Sequence, residues 1–448
     1  MLNRPAPSPR STYHTWTPVT FAELIKFIAV ITQMGIDPKP QLRDYWSLNE
    51  ADYGSWYHQM FSRTRFEAIY STMLHCSEEA VAEGRSKVED FVDRLLGKFR
   101  DAFYPYQALS LDEMVIGFQG RWAYKQFNAS KPKKYHIKVF GLCDSNTGYT
   151  VNLLIYYGRD TQFDPDCDDN GSQAKKVFQT LLQPFGKGHH VFADRFYTCR
   201  DLVDYLLQEH TYYTGTLNTN RRNFPPAIKT MRLNHLESRW HVNTEKTILC
   251  VTWKDKKAKK PVTAISTCAS SVMEERQTKR HRNVVKPALI HAYNQSMNGC
   301  DRVDQNGGYY GNFNRKTYKW WKKIFHWMVE IAQSNAHVLH TIAHRKQLPL
   351  LAFKKQLVRE LVEFVAGAMT PEERTAKNHN AGRTPSTKVE RFTGNLHLID
   401  QAPSDRDCAY CSKGVKGGPR RRTVYYCTGC SDKPFLHPKD CFRKYHTP

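Results

Sequence analysis

Two aspartates, Asp301 and Asp304, lie three residues apart in a polar stretch of the chain. On a helix this spacing puts both carboxylates on one face. Asp112 and Asp194 come earlier, each where a short apolar, strand-like pattern ends. Each of these aspartates taken alone is more often a turn cap than a ligand. If the three segments meet, however, their four carboxylates can bind divalent metal, and Mg²⁺ prefers such hard oxygen ligands, with Mn²⁺ as the alternative.

Paired metal ions are suited to phosphodiester chemistry. Two Mg²⁺ ions held ~3.5 to 4 Å apart make the attacking oxygen more acidic and neutralise the charge on the leaving oxygen. The four aspartates therefore predict cleavage or transfer of a nucleic-acid strand.

A second set of metal ligands crowds into the C-terminal 41 residues. Five cysteines and two histidines have the spacing of zinc ligands there: Cys408, Cys411, Cys427, Cys430, His437, Cys441 and His446. Two Cys-x-x-Cys pairs separated by 15 residues are a strong signature of structural zinc. Seven candidates predict two zinc ions. A cross-brace pairing puts Cys408 and Cys411 with His437 and Cys441, and leaves the other three residues one ligand short.

The net charge narrows the choice of partner. The chain of 448 residues carries 66 Lys and Arg against 43 Asp and Glu, a formal charge of +23. This excess predicts a polyanion, with nucleic acid favoured over a membrane surface. No apolar run approaches the ~20 residues of a spanning helix, and the N-terminus lacks a secretory core. We therefore expect a soluble intracellular protein without a small-molecule substrate.

Clusters of basic residues are the candidate DNA contacts. They are Arg121, Lys125, Lys131, Lys133, Lys134 and Lys138 after the first aspartate, then Arg221 and Arg222, then Arg315, Lys316, Lys319, Lys322 and Lys323, and finally Arg420, Arg421 and Arg422. The alternative for each cluster is a solvated charged face. Trp320 and Trp327 recur at helical spacing and are expected to pack in the core. The basic runs 254–260 and 279–282 fit either a nuclear import signal or a DNA patch.

The elements that must position these residues follow from local patterns. Thr20 and Glu23 form a capping box that opens a helix, and helices dominate to about residue 103. The order of the next elements indicates a mixed α/β sheet. They are a strand from Leu109, a hairpin over 136–157, a helix over 174–182, a strand ending before Asp194, a further helix capped by Thr198 with Asp201, and a strand over 212–217. Residues 220–288 interrupt this alternation. An aromatic helical tract, a second helix over about 350–367 and a polar linker over 370–403 precede the cysteines.

Five ordered motifs resemble those of piggyBac-type DNA transposases. They are Ser110-Leu-Asp112-Glu-Met-Val-Ile-Gly117-Phe-Gln-Gly120-Arg121, Lys131-Pro-Lys-Lys-Tyr135-His-Ile-Lys138, Ala193-Asp194-Arg-Phe-Tyr-Thr198, Gly215-Thr216 with Asn220-Arg221, and the stretch 294–305. The resemblance implies a ribonuclease H-like catalytic core of the DDE class with an insertion, flanked by a helical dimerisation and DNA-binding domain, plus a small zinc-binding cross-brace domain. The implied bounds are 1–106 and 311–369 for the helical domain, 107–219 and 289–310 for the core, 220–288 for the insertion, 370–403 for the linker and 404–448 for the zinc domain.

The resemblance also implies a reaction. The family's three catalytic aspartates fall on Asp112, Asp194 and Asp301, and a further metal-site aspartate falls on Asp304. The implied protein is a nuclear homodimer that acts on double-stranded DNA. It cuts transposon ends through hairpin intermediates and joins them at TTAA sites, using two Mg²⁺ ions. Arg195 stands where the family often has Asn, and Cys300 where an aliphatic residue is usual, which predicts looser packing behind Asp301. The alternatives are a domesticated DNA-binding protein of the same fold that no longer transposes and, less favoured, a chromatin adaptor acting through the zinc domain.

Overall fold

The computed structural model describes residues 16–49, 55–72, 88–168, 170–221, 223–277, 283–312, 316–368, 399–411, 421–428, 430, 432–438 and 440–446. Most of the linker 370–403, the basic run 279–282 and the residues Arg222, Arg315 and Arg420 lie outside the described residues, as does the side chain of His446. Among the residues described, no helix is long and apolar enough to cross a membrane.

The chain forms two compact units, one of residues 1–40 and 60–363 and the other of residues 41–59 and 364–448. The helices are α1 (Phe21–Ile36), α2 (Ser55–Met60), α3 (Arg63–Thr72), α4 (Glu89–Ala102), α5 (Gln173–Leu182), α6 (Arg200–Gln208), α7 (Pro226–Thr230), α8 (Ala288–Ser296), α9 (Gly299–Tyr310), α10 (Trp320–His344), α11 (Leu350–Ala368) and α12 (Asp440–His446). The strands are β1 (Ala108–Gly117), β2 (Gln126–Phe127), β3 (Tyr135–Asp144), β4 (Thr150–Ile155), β5 (His190–Ala193), β6 (Tyr212–Thr216), β7 (Ser238–Val242), β8 (Leu249–Trp253), β9 (Val262–Ser266), β10 (Met273–Gln277), β11 (Asn283–Pro287), β12 (Ile399–Asp407) and β13 (Arg422–Cys427).

A nine-stranded mixed sheet organises the first unit, with strand order β2-β3-β1-β5-β6-β9-β8-β7 and β4 also paired to β3. β1 pairs antiparallel to β3 but parallel to β5, and β5 pairs parallel to β6. The predicted hairpin is confirmed as β3 and β4. Within residues 220–288, which we expected to form an insertion, β9 pairs antiparallel to β6 and brings β8 and β7 into the sheet, while β10 and β11 form a separate two-stranded sheet.

Local helix signals are partly confirmed. The capping box of Thr20 and Glu23 opens α1, and the predicted amphipathic helix over 174–182 is α5. The cap predicted for α6 is wrong, because the helix starts after Cys199 without a side-chain cap. Thr198 instead donates its hydroxyl to the Asp194 carbonyl at 3.2 Å, while the Asp201 carboxylate accepts from the Ser172 N–H at 3.1 Å.

The long helix α10 closes one side of the core. Ile324, Met328 and Ile331 are fully buried in the main hydrophobic cluster, and Trp320 and Trp327 pack against the same cluster. Trp320 also stacks on Trp122 with ring centroids 5.2 Å apart. The prediction that the tryptophans belong to the core is therefore confirmed.

Candidate functional site

The sheet brings the first two aspartates together. β1 and β5 are parallel neighbours with Leu111 opposite Ala193, so Asp112 and Asp194 follow a matched pair on adjacent strands. Asp194 comes directly after β5, as predicted. Asp112 does not end its strand, because β1 continues to Gly117 through pairing with β3. Asp112 instead follows the last residue of β1 that pairs with β5, and the strand stays extended beyond it, with buried Met114, Val115 and Ile116.

Helix α9 carries the other two aspartates over the same strands. Asp301 lies in its first turn, and the Val115 N–H of β1 donates to the Asp304 carboxylate. The helix can approach this closely because it starts at Gly299, where an added Cβ would lie 2.2 Å from the Ser110 hydroxyl oxygen. The helix N-terminus also favours the negative charge of Asp301.

The charges of the four aspartates interact. Burial raises the pKa of Asp112 to about 7, and repulsion by Asp194 and Asp301 adds to this rise against the pull of Lys131. Burial likewise raises the pKa of Asp304 to about 6, although Lys133 and Lys131 act against it. Burial disfavours the charged form of these two carboxylates, and the like charges of Asp194 and Asp301 disfavour it further at Asp112. Hard oxygen donors of this kind fit divalent metal ions, whose positive charge would offset both effects.

Cys300 is well packed behind Asp301, contrary to the looser packing that we expected. Its thiol is buried and its Sγ lies 3.4 Å from both the Gly141 carbonyl oxygen and the Cys143 Sγ. An added Cβ on Gly141 would lie 2.3 Å from the Met114 sulfur, so β3 leaves room there for Met114 and the thiol. The small Cys300 thiol therefore fits the space that Gly141 of β3 leaves beside Met114.

Several residues that hold α9 were not found by sequence reasoning. Arg302, between the two aspartates, donates to the Ser145 and Asn146 carbonyls at the β3–β4 turn. At the other end of α9, the buried Lys354 ammonium donates to the Tyr310 carbonyl at 2.6 Å and pairs with Glu330 at 2.6 Å. These contacts join residues far apart in the chain, so no local pattern signals them.

Known proteins are similar to this chain over most of its length. A family model described as Transposase IS4 matches residues 3–337. PiggyBac transposable element-derived protein 3 of Homo sapiens is 26% identical over 450 residues, covering 96% of this chain and 70% of that protein. PiggyBac transposable element-derived protein 2 of Homo sapiens is 24% identical over 448 residues, with coverage of 96% and 70%.

This chain belongs to the piggyBac family of transposases. A cryo-EM structure of the piggyBac transposase synaptic complex with hairpin DNA superposes with a TM-score of 0.69 at 22% identity, covering 92% of this chain and 88% of that one. The predicted fold class, a mixed α/β catalytic domain with a C-terminal zinc-binding domain, is thereby confirmed.

A second family model, described as DDE_Tnp_1-like zinc finger, matches residues 392–447 of this piggyBac-family chain. In the structure, the ligand atoms of Cys408, Cys411, His437 and Cys441 all lie within 4.8 Å of one another. These are the four residues that the cross-brace pairing grouped. Three thiolates and one imidazole are a common donor set for structural zinc. Cys427 and Cys430 are buried nearby in the same small core.

Backbone hydrogen bonds favour the thiolate form of one ligand of this cluster, Cys408, whereas the pKa values of Cys411 and Cys441 are raised, with burial as the largest cause. Burial alone would raise the pKa of Cys408, but the backbone N–H groups of Cys411, His437 and Tyr410 outweigh it and lower that pKa to about 6. The His437 Nε2 lies 3.1 Å from the Arg422 carbonyl, which leaves Nδ1 facing Cys411 at 3.4 Å. A carbonyl that accepts from the far ring nitrogen is the usual support of a zinc-binding histidine.

The candidate DNA-contacting residues of this family member divide into two groups. Those with exposed side chains are Arg121, Lys133, Lys134, Lys316, Lys319, Arg421 and Arg422. Lys131 is half-buried beside Asp112 and Asp304, and Lys125 donates to the Gly120 carbonyl.

Other basic candidates bond to groups of the protein itself. Lys138 pairs with Glu113 at 3.1 Å and is largely buried, Arg221 donates to the Phe196 carbonyl, and the buried Lys322 donates to the Tyr70 carbonyl. Burial, together with neighbouring Lys319, lowers the pKa of Lys322 to about 8. Lys138 and Lys322 therefore have structural partners, and we do not assign them to a DNA surface.

Proposed function

We propose that this chain is a DDE-type DNA transposase in which Asp112, Asp194, Asp301 and Asp304 hold two Mg²⁺ ions. The observation that supports this most is the convergence of four carboxylates from two parallel strands and one helix. Bound metal would supply positive charge for the attacking and leaving oxygens of a phosphodiester. The reaction class we propose is cleavage of transposon ends through DNA hairpins, followed by strand transfer into TTAA sites.

The protein's own residues supply orientation and charge in this reaction. Adjacent register on β1 and β5 holds Asp112 beside Asp194, and α9 holds Asp301 and Asp304 over them. Lys131 is a positive group close enough to lower the pKa of both Asp112 and Asp304. The same charge can attract the phosphates of an incoming strand.

DNA as the partner is supported by the charge of +23 and by the exposed lysines beside the carboxylates. The piggyBac structure to which the fold is similar is titled as a synaptic complex with hairpin DNA. We propose that the C-terminal zinc-binding domain binds Zn²⁺ through Cys408, Cys411, His437 and Cys441. Its exposed Arg421 and Arg422 are further candidate DNA contacts. The second zinc, the homodimer and the nuclear location remain predictions.

Strand nicking tests the proposal. The substrate is a labelled duplex that carries the cognate element end and its TTAA flank, incubated with Mg²⁺ or with a chelator. We expect nicking at the element end that needs metal and disappears in Asp301→Asn. The matched control is Asp101→Asn, which changes an aspartate that is exposed at the end of α4 and should leave nicking intact.

Two results would contradict the proposal. Nicking that survives Asp301→Asn would remove this aspartate from the catalytic centre. Specific binding of the element end with no nicking in Mg²⁺ or Mn²⁺ would favour the domesticated DNA-binding protein of the same fold.

A further inference from the structure

A cavity of about 400 Å³ lies at the edge of the sheet where the parallel strands β5 and β6 begin. Two of its lining residues, His189 and Thr211, come directly before these strands, whereas Asp194 lies at the other end of β5. The end of α5, the end of α6 and the segment 164–166 supply most of the remaining lining. The volume is within the range of sites that hold small organic molecules, ~300 to 1,000 Å³.

The lining has an excess of negative charge in a chain whose formal charge is +23. Asp164, Asp166 and Glu209 contribute carboxylates, and Lys187 is the one lysine or arginine among the described lining residues. The Lys187 ammonium lies 3.9 Å from a Glu209 carboxylate oxygen, but both side chains are exposed, so water and salt weaken this pair. Concave surfaces with one predominant sign of charge concentrate ions of the opposite sign. The occupant should therefore be a cation.

A buried acceptor adds to this preference. The side-chain oxygen of Gln179, on α5, is buried in the lining and bonds to no group within the described part of the chain. A buried oxygen without a donor is unfavourable, because it has lost its hydrogen bonds to water. An N–H group of the occupant would supply the missing donor.

Apolar and aromatic side chains form the other walls of the cavity. Leu182 and Phe185 come from the end of α5 and the turn after it, and Tyr205 and Leu206 come from α6. An inorganic ion gains little from such surface. An aliphatic chain is stabilised by burial against it, and an ammonium group is attracted to the face of an aromatic ring. The lining therefore fits an organic cation with an aliphatic chain.

The turn that carries Phe185 is already held in place. The Tyr104 hydroxyl oxygen accepts from the Gly186 N–H at 3.2 Å and lies 3.3 Å from the His189 Nε2. The other ring nitrogen of His189 lies 3.1 Å from the Tyr106 carbonyl oxygen. A wall that is ordered beforehand loses little conformational entropy when a ligand binds against it.

We propose that this cavity binds a ligand whose aliphatic chain ends in an ammonium group. The Asp164 and Glu209 carboxylates and the Gln179 oxygen accept from the ammonium, and the chain lies on Leu182 and Tyr205. A free polyamine and the lysine side chain of another protein share this chemistry. The inference does not depend on the DNA-cleaving function, because the cavity and the aspartates lie at opposite ends of β5.

Four small probes test the proposal. Butylammonium has the carbon chain and the charge of a lysine side chain, and butanol is its uncharged counterpart. Spermidine represents a free polyamine, and lysine blocked at both ends represents a residue of another protein. Dissociation constants are measured by ligand-observed NMR at physiological salt, where exposed ion pairs are screened. The proteins are the full chain, Asp164→Asn, Gln179→Met and the control Asp255→Asn, which removes an exposed carboxylate outside the cavity.

We expect saturable binding of the three ammonium probes and no saturable binding of butanol. Asp164→Asn should weaken ammonium binding about 10-fold, because hydrogen bonds to charged groups are among the stronger ones. The asparagine oxygen can still accept from the Asp166 N–H, so the loop should keep its shape. Gln179→Met should also weaken binding, since it removes the buried acceptor at similar volume, and Asp255→Asn should match the unchanged protein. If Asp164→Asn melts at a lower temperature, Glu209→Gln provides the same comparison.

The order of affinities identifies the source of the ligand. Tighter binding of spermidine than of blocked lysine supports a free polyamine, and the reverse order supports a lysine of another protein. Absence of saturable binding of every ammonium probe would overturn the site, as would unchanged affinity in both Asp164→Asn and Glu209→Gln. Equal weakening in Asp255→Asn would also overturn it, because the effect would then come from the charge of the whole chain.

Discussion

The buried ion pair of Lys354 and Glu330 gives the sharpest prediction about what holds helix α9 in place. Their side chains are 0% and 5% exposed, and the Lys354 Nζ lies 2.6 Å from a Glu330 carboxylate oxygen. The other carboxylate oxygen accepts from the Asn312 N–H at 3.0 Å, and the ammonium also bonds the carbonyl of Tyr310, the last residue of α9. One pair thus ties the end of α9 to α10 and α11.

Lys354→Met leaves the Glu330 carboxylate buried without its cation. Removing one partner of a buried pair costs about 3 to 5 kcal/mol, whereas replacing both partners with neutral groups of similar volume is often close to neutral. We therefore expect a large loss of unfolding free energy in Lys354→Met and substantial recovery in the double variant Lys354→Met with Glu330→Gln. The glutamine oxygen can still accept from the Asn312 N–H.

Urea unfolding followed by tryptophan fluorescence measures this difference. With a denaturant slope of about 3 kcal/mol per molar, the loss in Lys354→Met corresponds to a midpoint lower by about 1 M or more. Lys98→Met, which breaks an exposed pair with Asp101, is the control and should leave the midpoint unchanged. A loss below about 1 kcal/mol, or a double variant as unstable as the sum of both single variants, would refute the reasoning.

Three further predictions follow from the described contacts. Burial, with nearby lysines adding to it, lowers the pKa of His326 to about 3. As the pH falls, the His326 imidazole therefore takes up a proton in the unfolded chain first, and the free energy of unfolding should fall by up to about 1.4 kcal/mol per pH unit from pH 6.5 downward. Urea unfolding at pH 7 and pH 5 should show a smaller fall in His326→Gln. An unchanged pH slope would contradict this. Cys411→Ser should lose about one zinc per chain in elemental analysis while Cys268→Ser keeps its zinc, and equal zinc contents would disprove the assigned cluster. Lys134→Ala should reduce the slope of log affinity for DNA against log salt concentration by about 1. Lys322→Met should leave this slope unchanged, because the Lys322 ammonium bonds the Tyr70 carbonyl. Equal slopes for the two variants would show that burial does not distinguish the two lysines.

The sequence by itself determined the features that depend on near neighbours. Residues three or four apart on a helix share a face, so the spacing of Asp301 and Asp304 was enough to pair their carboxylates. Ligand spacing in the C-terminal segment also grouped Cys408 with His437, because each Cys-x-x-Cys pair is local and the zinc-binding domain is short. The apolar strand before Asp194 and the capping box at Thr20 also depend on a few adjacent residues, and local patterns predicted both.

Only the tertiary structure decided which distant segments meet. Asp112 and Asp194 are neighbours because β1 and β5 pair in parallel with a particular register, and strand pairing depends on the whole sheet rather than on local propensity. For the same reason the pattern of the residues after 220 did not show that β9 would pair with β6 and join this part of the chain to the sheet. The partner of a buried lysine is likewise invisible in sequence, because Lys354 finds Glu330 and Tyr310 only when three helices have packed together.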